Sequence, residues 1–356
     1  MLNIEGEPMT GPPPGRRRAL SLAAGLLAIP ALSRIARAAS APTTPILAAP
    51  NFPEGPSLVV AGPPQGRLDH WADLLIPALA RAFPSAFAGL AAQPVARNAV
   101  GGADGVTGAN QFEAYAPPDG NTALLLPGSA AMAWLVGDPR AQFDAARWVP
   151  AWAGLTSAVL VSRVPLSPGR ALRVGGAHPT GLALPALLTL DMLGIEVTPS
   201  ADSGADAVFH FGQGAQAAAA MQRGMTPVMT LGAVDHTGAW LRDPAFPAVP
   251  TAIEIAVRQS PPPAMLAALR ATAAAAILDV ALVLPQLSPA NRVALWRRAC
   301  AEASTTPGLL SEAASLGVRA APAPATATLT RAIAADVPTL LALRAWLDNR
   351  RGQRPA

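Results

Sequence analysis

The chain has 356 residues, 51% of them hydrophobic and only 4% aromatic, which is enough for two ordinary domains with apolar cores. Its formal charge of +4 gives nucleic-acid binding no footing: five of its 26 basic residues, all arginine, crowd into positions 1–38 beside two acids, leaving 21 basic against 20 acidic beyond. One cysteine, Cys300, excludes an internal disulfide, and four scattered histidines with no cysteine pair offer no metal-ligand spacing.

Residues 1–38 read as an export signal. A polar, proline-rich start leads to Arg16-Arg17-Arg18, an uncharged apolar run from Ala19 to Ser33, and the small-x-small site Ala36-Arg37-Ala38. The run is short for a bilayer and contains Pro30, although an uncleaved anchor is the competing reading. The arginines, the Ala19-Leu20 that follows them and the long leader resemble a twin-arginine signal, with Sec export as the alternative. Residues 39–56 form a linker rich in proline, alanine and threonine.

Ser57 to Val60 predicts the first buried strand, followed by the loop AGPPQGRLD. Trp71, Leu74, Leu75, Ala78 and Leu79 then recur at helical spacing and predict a helix from Asp69 to Phe83. Asp69 at its start reads first as a cap for free N–H groups, with ligand contact as the alternative.

Val95 to Ser129 reads as a strand end, a loop with Gly101, Gly102, Gly105 and Gly108, a helix over 106–115, and a turn at Pro117-Pro118-Asp119-Gly120. An apolar strand over 122–126 and a second loop, Pro127-Gly128-Ser129, complete it. Such a unit places loops at the C-terminal ends of parallel strands, where open α/β sheets bind ligands. Glycine there lets a ligand reach the backbone. A βαβ unit without a ligand has the same spacing.

The wording of this stretch is more specific than its spacing. Ala116-Pro117-Pro118-Asp119-Gly120-Asn121-Thr122-Ala123-Leu124 resembles the A-P-P-D-G-Y-T-L-L segment of the Bug proteins, the extracytoplasmic solute receptors of tripartite tricarboxylate transporters. Val60, Pro64, Gly66 and Asp69 are similar to that family's V-V-P-F-x-P-G-G-x-x-D, with Gln65 in place of a glycine and Gly62 in place of the phenylalanine. Phe143 to Pro150 stands at its Y-D-P-x-x-D-F-x-P, and Ala158 to Ser162 at N-V-L-V-V, the strand that crosses into a second lobe. Trp134, Trp148 and Trp152 fit core anchors and ligand walls equally.

Gly175-Gly176-Ala177-His178 resembles the family's second-lobe loop Y-G-S-x-G-x-G-S and precedes a helix predicted over 182–193. His178 reads first as a loop hydrogen-bonder. The match then thins, because Ile195 to Pro199 passes almost directly to the strand Asp206 to His210, without the family's V-P-Y-K-G segment and most of a helix. Asp243 to Thr251 resembles x-P-x-L-P-D-V-P-T. The alanine-rich segment Pro263 to Ile277 is longer than the family implies. A strand over 280–284, a helix opened by Ser288-Pro289 and two last helices complete the chain, Gly317 acting as a helix stop.

The resemblance implies an α/β, two-lobe periplasmic binding protein (type 2) fold with a hinge and an interlobe cleft. Lobe 1 would comprise 57–155 and 241–356, and a shortened lobe 2 would comprise 156–240. It implies a monomeric periplasmic receptor without cofactor or metal, which captures a small organic carboxylate for membrane transporter subunits. The ligand contacts implied are Pro64, Gly66 and Asp69, then Gly128, Ser129 and Ala130, then Gly176, Ala177 and His178. The shortened lobe leaves an alternative: a degenerate receptor acting as a sensory or protein-interaction partner without transport. Catalysis has no sequence support, since G-x-S-x-G and H-E-x-x-H are both missing.

Overall fold

The computed structural model describes residues 55–86, 93–212, 214–321 and 323–352. The leader read at 1–38 and residues 39–54 of the linker lie outside them.

The first sheet is built around short, buried apolar strands. β1 (Ser57–Val60) lies between two parallel neighbours, β2 (Ala96–Ala99) and β3 (Thr122–Leu126). Helix α1 (Arg67–Ala86) follows β1, α2 (Val106–Tyr115) follows β2 and α3 (Gly128–Val136) follows β3, as the sequence pattern predicts for the first two. β4 (Val149–Thr156) then runs parallel to β3, one strand removed from it, and delivers the chain to the second sheet at Ser157.

β5 (Ala158–Ser162) is an inner strand of that sheet, whose order is β7-β6-β8-β5-β9. β6 (Leu172–Gly175) leads through a loop to α4 (Leu184–Met192) and β7 (Val197–Ser200). A single 3-10 turn, Asp202–Gly204, is all that separates β7 from β8 (Ala207–Phe211). Helix α5 (Gly214–Gln222) and β9 (Thr226–Thr230) follow. Side chains alternate along β5: Val159 and Val161 pack with Ala217 and Ala220 of α5, while Ala158 and Leu160 join the main core.

A small hairpin, β10 (Ala233–Val234) with β11 (Trp240–Leu241), starts the return. Helix α6 (Ala252–Val257) opens on a capping box in which Thr251 and Glu254 each bond the other's backbone N–H. The alanine-rich segment forms α7 (Pro263–Ile277), which runs without a break into β12 (Leu278–Leu284), and β12 inserts antiparallel between β3 and β4. Helices α8 (Ala290–Ala303) and α9 (Pro307–Ser315), edge strand β13 (Val318–Ala321), and helices α10 (Ala323–Ile333) and α11 (Val337–Gly352) finish the chain. The first sheet thus has the order β13-β4-β12-β3-β1-β2.

Aromatic anchors tie these layers together. Phe83 of α1 meets Trp296 of α8 edge to face, 5.0 Å between centroids, and Trp71 meets Trp152 of β4 in the same way. Trp148 and Trp152 are core residues, and their indoles donate to Glu113 and Ser304. Cys300 is fully buried in α8; burial pushes its thiol up to about 12, which makes it inert at neutral pH.

Trp296 also donates to the carbonyl of Gly120, at 2.9 Å, and so fixes the turn before β3. Trp296→Phe keeps much of the ring packing and leaves that buried carbonyl without its donor. The expected loss is about 1–3 kcal/mol, read as a lower urea midpoint with an unchanged slope. An unchanged midpoint would show that this bond does not hold the turn.

Candidate functional site

The loops after β1, β2 and β3 leave from one edge of the first sheet, because these strands are parallel to one another. β4 is parallel to them through β12, so the chain crosses to the second sheet from that same edge. In the second sheet, β8 runs antiparallel to β5 and pairs Phe211 with Ala158; β6 is parallel to β8. The loops after β6 and β8 therefore emerge beside the crossing too, and Gly212 N–H donates to the Ser157 carbonyl at 2.8 Å. The C-terminal ends of β1, β2 and β3 thus lie on the edge of the first sheet from which the chain crosses, and the loop after β8 is bonded to the crossing.

The loop after β1 is pinned by Asp69. Gln65 holds a left-handed backbone (φ 61°) where the family resembled has glycine, and its N–H donates to Asp69 Oδ2 at 2.6 Å. Asp69 is 3% exposed and also pairs with Arg97 of β2, which pairs in turn with Asp73. Burial alone would push the Asp69 carboxyl up; the Gln65 N–H and Arg97 outweigh it and hold the group below its ordinary value. Asp69 thus folds back onto the loop that precedes its helix, so the capping expected of it acts one turn early. Pro64 is exposed, and Gly66 is partly buried with its N–H on the Pro63 carbonyl.

The loop after β3 is largely covered. Gly128 and Ala130 are buried, and Ser129 spends its hydroxyl on the Asp104 carbonyl at 3.2 Å. A Cβ at Gly128 would lie 2.0 Å from the Ala275 carbonyl and 2.4 Å from that of Leu278, so the end of α7 rests directly on this glycine. Gly108 serves a similar purpose: a Cβ there would fall 2.5 Å from Cα of Ala61.

On the second sheet, Gly176 and His178 are exposed and Ala177 is buried. The His178 Nδ1 accepts from Thr180 N–H (3.4 Å) and lies 3.0 Å from the Thr180 hydroxyl, so this ring stitches its own loop. His210 at the end of β8 is driven toward its neutral form by burial. Among the described residues no group of three or more His, Cys, Asp or Glu side chains comes together, and no helix is long and apolar enough to cross a membrane.

Sequence reasoning did not find a groove of about 780 Å³ between α4, β7 and α11. Ala177 lines it, with Leu187, Asp191, Ile195, Trp346 and Arg350. Asp191 accepts from the Trp346 indole at 2.8 Å and pairs with Arg350, which stacks over the Trp346 ring at 5.0 Å. Both contacts to Asp191 span 155 residues or more, which is why no motif signals the groove. Of the nine residues implied as ligand contacts, Ala177 alone lines it.

No family model and no curated protein matches the chain. Solved structures do. A TctC solute-binding protein from Polaromonas, solved without ligand, is 16% identical, with 84% of this chain aligned over 100% of that one at a TM-score of 0.57. MatC from Rhodopseudomonas palustris with bound malate is 18% identical over 82% and 98% (TM-score 0.46), and the periplasmic binding protein BugD is 15% identical over 84% and 98% (TM-score 0.45). These structural neighbours are solute-binding proteins of the TctC and Bug type, in line with the resemblance at 116–124, and the likeness to the TctC structure shows the two-lobe α/β fold.

The Asp69 network is testable by pH. A carboxyl held below its unfolded value, near 3.9, stabilises the fold above that pH, and the gain is lost as pH falls through the folded value. Asp69→Asn should lower stability at pH 7 by about 2 kcal/mol and flatten the acid limb of stability against pH, as read by urea unfolding. An acid limb as steep as that of the parent would remove Asp69 from this role.

Proposed function

We propose that this chain is an exported solute receptor that captures a small organic carboxylate and delivers it to a tripartite tricarboxylate-type membrane transporter. One observation carries the reading: glycine-containing loops leave the edge of the first sheet from which the chain crosses at Ser157, and the loop after β8 is bonded to that crossing, so a solute lodged there would meet both sheets. Helix N-termini at such loops present backbone N–H groups and the positive end of a dipole, so a carboxylate needs no dedicated arginine. Under this reading the contacts come from Pro64, Gly66, Ser129, Gly176 and His178. The protein binds without transforming its ligand, works as a monomer, and reaches the periplasm through its leader by the twin-arginine or the Sec route.

A specific observation favours a second reading, a receptor descendant that serves as a sensory or protein-interaction partner without transport. Gly128 and Ala130, two of the implied contacts, are buried, and Gly128 lies under the backbone of α7. The single 3-10 turn between β7 and β8 points the same way.

Mass spectrometry of protein purified from its native periplasm, followed by calorimetry with malate, citrate and adipate, separates the two. The receptor reading expects a carboxylate carried through purification and a saturable heat with at least one of the three. Folded protein that carries no small acid and gives no heat with any of them would leave the second reading in place.

A further inference from the structure

The C-terminal half of helix α7 is buried: Ala268, Leu269, Ala271, Thr272, Ala273, Ala274, Ala275, Ala276 and Ile277 are each 1% exposed or less, while Pro263 and Arg270 are exposed. A run buried on nearly all its faces needs partners on those faces. On the side of the first sheet it packs against α3, α10 and α11; on the side of the second it packs against α4. The start of α7 (Pro262, Met265) and the end of α4 (Asp191, Met192) line a common surface, while the end of α7 reaches Gly128 at the start of α3. Alanine makes such contacts close, because it holds neighbouring helix backbones apart by a single methyl group.

The polarity of the contact matters as much as its shape. The last turn of a helix carries unpaired carbonyls and a partial negative charge, and the first turn carries unpaired N–H groups and a partial positive one. Here the Ala275 and Leu278 carbonyls lie against the first residue of α3, the Ala275 carbonyl also accepting from the Leu278 N–H. Both ends of α7 are also tied down. Pro261, Pro262 and Pro263 stiffen its entry, and its exit continues directly into β12 at the centre of the first sheet. Residues of both sheets consequently belong to one continuous core, from Leu58 and Leu124 to Leu160 and Val174.

We propose that α7 is a built-in interlobe brace: its C-terminal carbonyls occupy the seat at the start of α3, and its buried length joins both lobes into one rigid body that does not close by hinge motion. The inference goes beyond the receptor reading and concerns shape, so it stands or falls apart from affinity. A receptor built this way holds its solute on the loops left open, without a change of shape.

Native-state hydrogen exchange and small-angle scattering, each with and without saturating citrate or malate, test it on the full chain. The amides of 268–277 should exchange at rates within about tenfold of those of β12, as one global unit, and the radius of gyration should not move. Exchange of α7 more than about tenfold faster than β12 would overturn the brace, as would compaction by either acid. Heat of binding without compaction keeps both proposals. Binding with compaction keeps the receptor and removes the brace, whereas no binding with a fully protected α7 does the reverse. Gly128→Ala adds an independent arm: a methyl group driven into the α7 carbonyls should lower Tm by several degrees, and an unchanged Tm would show that α7 does not rest on this seat.

Discussion

The crossing at Ser157 fixes the geometry of everything near it. One residue separates the last strand residue of the first sheet from the first strand residue of the second, and its carbonyl and hydroxyl are both engaged. Its carbonyl accepts from Gly212, its hydroxyl donates to the buried Asp243 at 3.1 Å, and the next carbonyl, of Ala158, accepts from Leu231. Asp243 in turn accepts from Ala245 N–H, which anchors the returning chain at the same place. With so short a connection, strand direction in one sheet dictates direction in the other. That is why the loops of both converge, whatever they hold.

Convergence creates a space, and the sequence decides what fills it. Two features shape it here. The chain between β7 and β8 holds one 3-10 turn and no longer helix, and the fifteen-residue α7 stands immediately before β12. Seven residues of α4, from Leu184 to Leu190, are buried, and they could not be so without α6 and α7 laid against them. The groove beside β7 and α11 is left unfilled, with the Asp191, Arg350 and Trp346 cluster closing one wall.

Much of the fold was legible, because periodicity and punctuation agree where the chain is regular. Helix α2 and strand β3 fall on the predicted bounds, since glycine and proline bracket them and β3 is an unbroken apolar run. The alanine-rich segment was visible as an excess, but alanine carries no amphipathic stripe, so nothing in it says which surfaces it will meet. Asp69 was legible as a residue near a helix start. Its partner Arg97 lies 28 positions away on another strand, so the ion pair that explains the left-handed Gln65 had no local signal.

The glycines are the hardest case, and the reason is physical. A missing Cβ permits the approach of a ligand and the approach of a second backbone equally well, and sequence records only the absence. At Gly108 the visitor is Ala61, and at Gly128 it is the end of α7. A glycine-rich loop at the C-terminal end of a strand therefore states that something comes within reach of the main chain without stating what. In this protein the approaching atoms at Gly128 are carbonyl oxygens from the chain itself, the same kind of acceptor that a carboxylate would bring. The same glycine that would admit a ligand to the start of α3 is thus needed for packing alone, because any side chain there would collide with the end of α7.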